Sequence, residues 1–311
     1  MGLCGLSLAW HRAVPLMGEA AGGVSLALGG LAAGLFVVLA LASLWRARQH
    51  PDAWAEDRRH PVRHPFLAAV PVSLLLLATV GTAQFGPGPA PQALWLAGSV
   101  LQLAATAWVL LRWWQARQAG GKHWVGVTPV LFIPVVGNVL APLAGGTLGF
   151  GVWAMAQFSL GLLLWPVLLV ALWRRWKGHG LWPERLRPSV FILIAPPAVV
   201  GLVLLQLDAP AWAGVLLWLL ALAFAGLAAL QLPAISQQAM GLPHWALSFP
   251  LAAWAALSLR LGAPGSALAL PAVALLAAAT LVVAGLLLAT VRGLRQGTLL
   301  VPEPVATLKV G

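Results

Sequence analysis

The sequence predicts an all-α integral membrane protein with ten transmembrane helices arranged as five helical hairpins. Three observations support this fold class: the composition is too apolar for a water-facing surface, apolar stretches of membrane-spanning length recur along the chain, and basic residues concentrate in alternate linkers. Of the 311 residues, 61% are hydrophobic and 8% are charged, whereas soluble domains carry about 25% charged residues. The 17 tryptophans and the lack of tyrosine suit membrane interfaces lined by indole rings.

Nine apolar stretches are long enough to cross a bilayer, which takes about 20 helical residues. A further apolar piece, residues 1–10, reaches only about half of that thickness, since ten helical residues span about 15 Å. The nine stretches are residues 22–45, 65–83, 92–113, 125–145, 149–173, 188–207, 211–232, 243–261 and 267–291.

The basic residues indicate how these helices are oriented. All 18 lysines and arginines except Arg12 and Arg260 lie in alternate linkers or in the C-terminal tail, and the positive-inside rule places those parts in the cytoplasm. The linker 236–242 falls on the same side by parity although it is uncharged. The stretch 22–45 then runs inward, so we expect residues 1–10 to be the outer half of a first helix that is truncated at the N-terminus.

This orientation defines the expected domain organisation. Residues 1–294 form a single transmembrane domain, and residues 295–311 form a cytoplasmic C-terminal tail. We expect a multi-pass protein of the cell inner membrane with its C-terminus in the cytoplasm. The net charge of +11 follows from this topology, and we therefore expect no nucleic-acid partner.

Proline recurs inside every second apolar stretch. Pro71, Pro134, Pro196 and Pro250 follow one another at intervals of 63, 62 and 54 residues, and each interval holds one helical hairpin, which indicates a repeat of a kinked helix followed by a straight one. Kinks are tolerated in lipid where neighbouring groups satisfy the freed carbonyls. The pattern predicts an inner ring of kinked helices around a central pore and an outer ring of straight helices. The alternative is that membrane helices simply carry more proline than soluble ones.

The kinked helices offer small polar side chains for a pore lining, among them Ser73, Asn138 and Ser248. Serine also hydrogen-bonds to its own helix in membranes, so both interpretations of these residues stay open. No Asp, Glu, Lys or Arg lies within the core of any apolar stretch. Enzymes and coupled carriers in membranes usually need buried titratable groups. We therefore expect no enzymatic activity, no cofactor and no metal.

Basic runs precede the kinked helices on the predicted cytoplasmic side. These runs are RRHPVRH, GGKH and ERLRP. Positive potential at the mouth of a narrow neutral lumen concentrates anions, whereas cation channels use acidic rings. The pattern favours permeation by anions, although the positive-inside bias alone produces the same charges.

Six stretches together resemble the tellurite-resistance/dicarboxylate transporter family, which includes bacterial TehA, the plant slow anion channels and fungal malate and sulfite transporters. They cover almost the whole chain in the order of the family. The stretches are GLCGLSLAWHRA (2–13), HPVRHPFLAAVPVSLLLLAT (60–79), FIPVVGNVLAPLAG (132–145), FSLGLLLWPVLL (158–169), RLRPSVFILIAPPAVV (185–200) and HWALSFPLAAWA (244–255).

The TehA-like resemblance implies a homotrimer with one pore in each protomer, with Phe249 as the plug of that pore and the four repeated prolines facing it. It implies passive permeation of small inorganic or carboxylate anions across the lipid bilayer, with an association with tellurite resistance. The family also implies an alternative, a proton-coupled carrier of C4-dicarboxylates such as malate, or of sulfite. A scaffold without a pore is a further alternative, in which Phe249 is a core aromatic residue packed between helices.

Overall fold

The computed structural model describes residues 1–60, 62–118 and 122–299, and these residues form helices and connecting turns with no β-strand. The prediction of an all-α fold is confirmed for this part of the chain. The glycines of the GGKH run and most of the predicted C-terminal tail, residues 300–311, lie outside the described residues.

Ten apolar helical segments follow one another along the described chain, numbered here in that order. Short helices at Val14–Met17, Pro51–Arg59, Lys122–Gly126 and Leu232–Ser236 connect some of them. The ten segments are α1 (Gly2–Arg12), α2 (Glu19–Gln49), α3 (His64–Phe85), α4 (Pro89–Gln118), α5 (Pro129–Gly145), α6 (Gly151–His179), α7 (Glu184–Gln206), α8 (Ala211–Ala229), α9 (242–261) and α10 (Ala269–Arg295).

Seven segments of the described chain are long and apolar enough to cross a membrane: α2, α3, α4, α6, α7, α8 and α10. The other three, α1, α5 and α9, are shorter or are broken into pieces. A multi-pass membrane protein is therefore confirmed, while the count of ten transmembrane helices stays a prediction.

The repeated prolines lie where the helix type changes. Segments α3, α5, α7 and α9 each contain a 3₁₀ stretch followed directly by an α-helical piece, and the proline is the second or third residue of that piece. The N–H group at the start of each α-helical piece donates to a carbonyl of the preceding 3₁₀ stretch. Proline has no N–H group and cannot make this bond, so a carbonyl one turn before it needs another partner. The α-helical pieces are Ala69–Phe85, Phe132–Val136, Ala195–Gln206 and Ser248–Leu261.

The segments differ strongly in burial. In the most apolar 18-residue part of α7, 89% of the residues are buried, and in α3 50% are. The corresponding fraction is between 17% and 33% in α2, α4, α6, α8 and α10, which expose large apolar side chains such as Leu163 and Leu281. An apolar surface of this extent suits contact with lipid rather than with water.

The buried segments also contact one another. Segment α1 packs against α3 and α9, α5 packs against α3 and α7, and α7 packs against α9. Each of these five segments also packs against the segment that follows it in the chain, so that α2, α4, α6, α8 and α10 lie beside them. This arrangement places residues far apart in sequence around a shared space.

Candidate functional site

A cavity of about 260 Å³ lies among the buried segments. Every residue that lines it belongs to α1, α3, α5, α7 or α9, or is Met1 directly before α1. Among these described lining residues no side chain carries a formal charge. The side chains that line it include Phe66, Val136, Ile192, Pro196, Ser248, Phe249 and Pro250.

Phe249 borders the cavity from α9, close to the start of its α-helical piece. Its side chain is only partly buried, and it packs against the core from the cavity side. Its ring packs directly against the backbone of α1 at Gly5. A Cβ atom built on Gly5 would lie 2.9 Å from Cδ2 and 3.3 Å from Cε2 of the ring, so the ring occupies its position because residue 5 has no side chain.

The neighbouring residue Ser248 packs in the same way against Gly2 of α1, where any side chain would overlap its hydroxyl group. The Ser248 Oγ donates a hydrogen bond to the carbonyl oxygen of Trp245, 2.7 Å away in its own segment. This is the local bond that serine commonly makes in membrane helices. The wall of the cavity is therefore apolar even at its one serine.

Four of the predicted site residues lie together in the lining of the cavity, and four are buried between segments. The first group comes from α7 and α9 and the second from α3 and α5. The lining residues are Pro196, Ser248, Phe249 and Pro250; the others are Pro71, Ser73, Pro134 and Asn138.

Asn138 belongs to a buried hydrogen-bond network between α4, α5 and α6. Its Nδ2 donates to Thr106 Oγ1 at 2.8 Å, and its Oδ1 accepts a bond from Gln157 Nε2 at 2.9 Å. Gln157 Oε1 in turn accepts a bond from Ser99 Oγ at 2.5 Å. These contacts give the lone amide of α5 the partners that a polar group needs away from water.

The same face of α4 supplies donors to the carbonyl groups around Pro134. The carbonyl oxygen of Pro134 accepts bonds from Gln102 Nε2 at 2.8 Å and from Thr106 Oγ1 at 2.5 Å. Side chains of a neighbouring helix therefore satisfy the broken backbone of α5, as helix breaks in membranes require. This role was not among the expectations from the sequence, although Ser99, Gln102 and Thr106 share one helical face by their spacing of three and four residues.

Aromatic and aliphatic residues that were not predicted from the sequence also line the cavity, such as Phe66, Val136 and Ile192. Nothing in their local sequence distinguishes them from other apolar residues of the same segments. Only the packing of five segments around one space identifies them.

Ion pairs lie just before α3 and at the start of α7. Asp57, in the short helix Pro51–Arg59, lies 2.8 Å from Arg46 and 2.9 Å from Arg63. Burial raises the pKa of the Asp57 carboxyl group, but hydrogen bonds and charge attraction from the two arginines outweigh this and hold its pKa below the ordinary value. At the start of α7, Arg187 pairs with Glu184 at 2.8 Å.

Apolar helices of spanning length around an uncharged internal cavity define a multi-pass membrane protein. The family model described as voltage-dependent anion channel, SLAC1, matches residues 1–291. The chain therefore belongs to this family of anion channels, and the resemblance inferred from the sequence is confirmed.

The amino-acid identity to individual relatives is low. The S-type anion channel SLAH2 of Arabidopsis thaliana is 25% identical over 177 residues, which are 56% of this chain and 33% of the relative. The tellurite resistance protein TehA homolog of Haemophilus influenzae is 25% identical over 200 residues, which are 64% of this chain and 59% of the relative. The matched regions therefore span less than two thirds of the length of these relatives.

Proposed function

We propose that this protein is a passive, gated channel for small inorganic or carboxylate anions, and that Phe249 is its gate. The observation that carries this proposal is the cavity that five segments line without a charged side chain, with the ring of Phe249 in its wall and packed against the Gly5 backbone of α1. Membership in a family of anion channels supports it.

The proposed architecture is ten helices in five hairpins. The mutual contacts of α1, α3, α5, α7 and α9, together with their burial, support an inner ring around the cavity. The apolar surfaces of α2, α4, α6, α8 and α10 support an outer ring that faces lipid. The protein is then a homotrimer in the cell inner membrane, with one pore in each protomer and the C-terminus in the cytoplasm.

Selectivity for anions follows from charge rather than from a specific ligand. The lining residues bring no carboxylate that would attract cations, and basic residues gather at the ends of the segments on the predicted cytoplasmic side. A low-dielectric wall focuses that positive potential into the opening of the pore. Anions are therefore concentrated where they enter.

The gate acts by steric exclusion. A benzyl group in an apolar passage blocks hydrated ions until it rotates, and the ring of Phe249 is partly exposed in the cavity wall. The alternative assignment of Phe249 as a packed core residue predicts a fully enclosed ring. Its place on the cavity wall favours the gate.

Planar-bilayer recording of Phe249→Ala tests the proposal. We expect higher anion conductance than in the unmodified protein, while Phe85→Ala leaves it unchanged because Phe85 is 78% exposed and lies outside the cavity lining. Light scattering after size-exclusion chromatography checks trimer assembly. Unchanged or lower current in a correctly assembled Phe249→Ala trimer contradicts the gate.

The alternative is a proton-coupled carrier of malate or sulfite. Among the described residues that line the cavity, no side chain titrates near neutral pH, which favours the passive channel. Uptake of malate and sulfite into vesicles separates the two, because uptake by a coupled carrier accelerates when a pH gradient is imposed.

A role in tellurite resistance follows from permeation of the tellurite oxyanion, and a tellurite flux that rises in Phe249→Ala supports it.

A further inference from the structure

A second hollow, a groove of about 690 Å³, lies on the outside of the bundle between α4 and α6. One part of its wall is apolar and the other is basic. The apolar part consists of Pro166, Val167, Val170 and Ala171 of α6 with the rings of Trp113 and Trp124, and the basic part consists of Arg117 and Arg174.

The groove opens away from the bundle. Val167 is 56% exposed and Val170 is 48% exposed, so this face of α6 is not covered by another segment of the described chain. Proline inside a helix leaves a carbonyl without its partner and bends the helix, and Pro166 lies inside α6. The small side chain of Ala171 adds depth beside it.

A buried arginine holds Trp124 of the apolar part in place. Arg175 Nε donates to the carbonyl oxygen of Trp124 at 3.0 Å, and its Nη1 donates to the carbonyl oxygen of Gly180 at 2.9 Å. The Trp124 ring also stacks with His179 at a centroid distance of 5.5 Å. The shape of the groove is therefore built by fixed contacts.

The two arginines of the groove form no ion pair with any described acidic residue. Asp57 and Glu184 already pair with other arginines. Arg117 places its guanidinium group over the Trp114 ring, 5.8 Å from the ring centroid, and Arg174 is exposed. Their charge is available to an anionic partner from outside the chain.

We propose that this groove binds one anionic phospholipid. The phosphate lies between Arg117 and Arg174, and an acyl chain runs along Pro166, Val167 and Val170. Basic residues at the membrane surface attract anionic headgroups, and tryptophan rings favour the depth at which headgroup and acyl chain meet. A second copy of this chain related by a two-fold axis would bring the same basic surface against the arginines, and contact with a different face of another copy is an outcome that the test below distinguishes. The proposal rests on the membrane orientation of the proposed function but not on the gate.

Native mass spectrometry of the full chain released from lipid nanodiscs tests this proposal. The discs contain equal amounts of phosphatidylglycerol and phosphatidylcholine. We expect the unmodified protein to retain phosphatidylglycerol selectively. The double variant Arg117→Gln/Arg174→Gln should retain at least about fivefold less phosphatidylglycerol than the unmodified protein. The matched control Arg48→Gln/Arg295→Gln removes the same charge from exposed residues outside the groove and retains as much as the unmodified protein.

A steric variant tests the apolar wall without changing the charge. Val167→Trp fills the groove and lowers phosphatidylglycerol retention, whereas Val152→Trp, at a position 90% exposed on the same helix, does not. Equal retention in all variants, or displacement of the lipid by inorganic phosphate alone, overturns the proposal. So does a change in oligomeric state with unchanged lipid retention, which would make the groove a contact between copies. The conductance of Phe249→Ala is independent of these outcomes.

Discussion

At the scale of single residues, the proposed gate depends on a contact between Phe249 and a glycine. The ring lies where a Cβ on Gly5 would approach two of its carbon atoms at 2.9 and 3.3 Å. Carbon atoms that are not bonded to each other prefer separations of about 3.5 to 4.0 Å. Gly5 is therefore a determinant of the position of the ring, although it has no side chain of its own.

The variant Gly5→Ala tests this contact through stability. We expect a loss of about 1–3 kcal/mol because the added methyl group overpacks the site. Phe249→Ala in the same chain should remove part of that loss, since the added Cβ would also lie 3.2 Å from the Cβ of Ala252. Thermal unfolding in detergent of the two single variants and the double variant measures the coupling. Gly34→Ala is the control, since its Cβ would meet nothing within 4 Å. Purely additive effects of the two substitutions would show that the ring does not rest on Gly5.

At the scale of helical segments, polar contacts compensate for broken helix geometry. Segment α5 alternates between 3₁₀ and α-helical pieces, and α4 supplies donors to its carbonyl groups through Gln102 and Thr106. Asn138 and Gln157 extend the same network to α6. At Pro134, one of the prolines that suggested a kinked lining, a neighbouring helix and not the lumen therefore satisfies the backbone of α5.

Removal of one amide from this network should lower stability without opening the pore. We expect Gln157→Leu to cost about 1 kcal/mol, because Asn138 Oδ1 and Ser99 Oγ lose their partner. In a protein of a few hundred residues that corresponds to a melting temperature lower by about 2–4 °C.

Thermal unfolding in detergent measures this effect. Ser159→Ala is the control, since Ser159 is exposed and bonds only to Met155 in its own helix. Equal melting temperatures for the two variants would mean that the network carries no stability. A Gln157→Leu protein with raised conductance would place the network in the permeation path.

At the scale of the whole molecule, the basic residues near the predicted cytoplasmic ends of the segments are expected to raise the rate of anion entry. Arg185 is exposed near the start of α7, the segment that brings Ile192 and Pro196 to the cavity wall. Charges on a protein surface act over about 30 Å at 0.01 M salt but over only about 3 Å at 1 M salt. The arginine can therefore raise the local anion concentration only when the salt concentration is low.

The conductance of Arg185→Gln, measured at about 0.01 M and about 1 M salt, tests this effect of the arginine on anion entry. We expect a decrease at low salt that disappears at 1 M, since screening removes the contribution of the arginine. Arg48→Gln, at an exposed position at the end of α2, should have a smaller effect. A decrease of the same size at both salt concentrations would point to a local structural role of Arg185 instead.

Much of the fold could be predicted from the chain because the signals are local. Apolar length identifies membrane helices, and seven segments of the described chain are long and apolar enough to agree with it. The recurrence of Pro71, Pro134, Pro196 and Pro250 identified segments that share one geometry, a 3₁₀ stretch followed by an α-helical piece. The sequence did not show that each proline lies in a first turn, since this depends on where the helix type changes.

The sequence by itself determined the membrane class, the segments, the direction of the charge asymmetry and the resemblance to an anion channel family. Only the tertiary structure decided which face of each segment meets the cavity. It placed Phe249 and Pro196 in the wall and Asn138 in a contact with α4 and α6. The physical reason is that an uncharged cavity and a packed helix interface are both apolar, so hydrophobic periodicity cannot tell one face from the other.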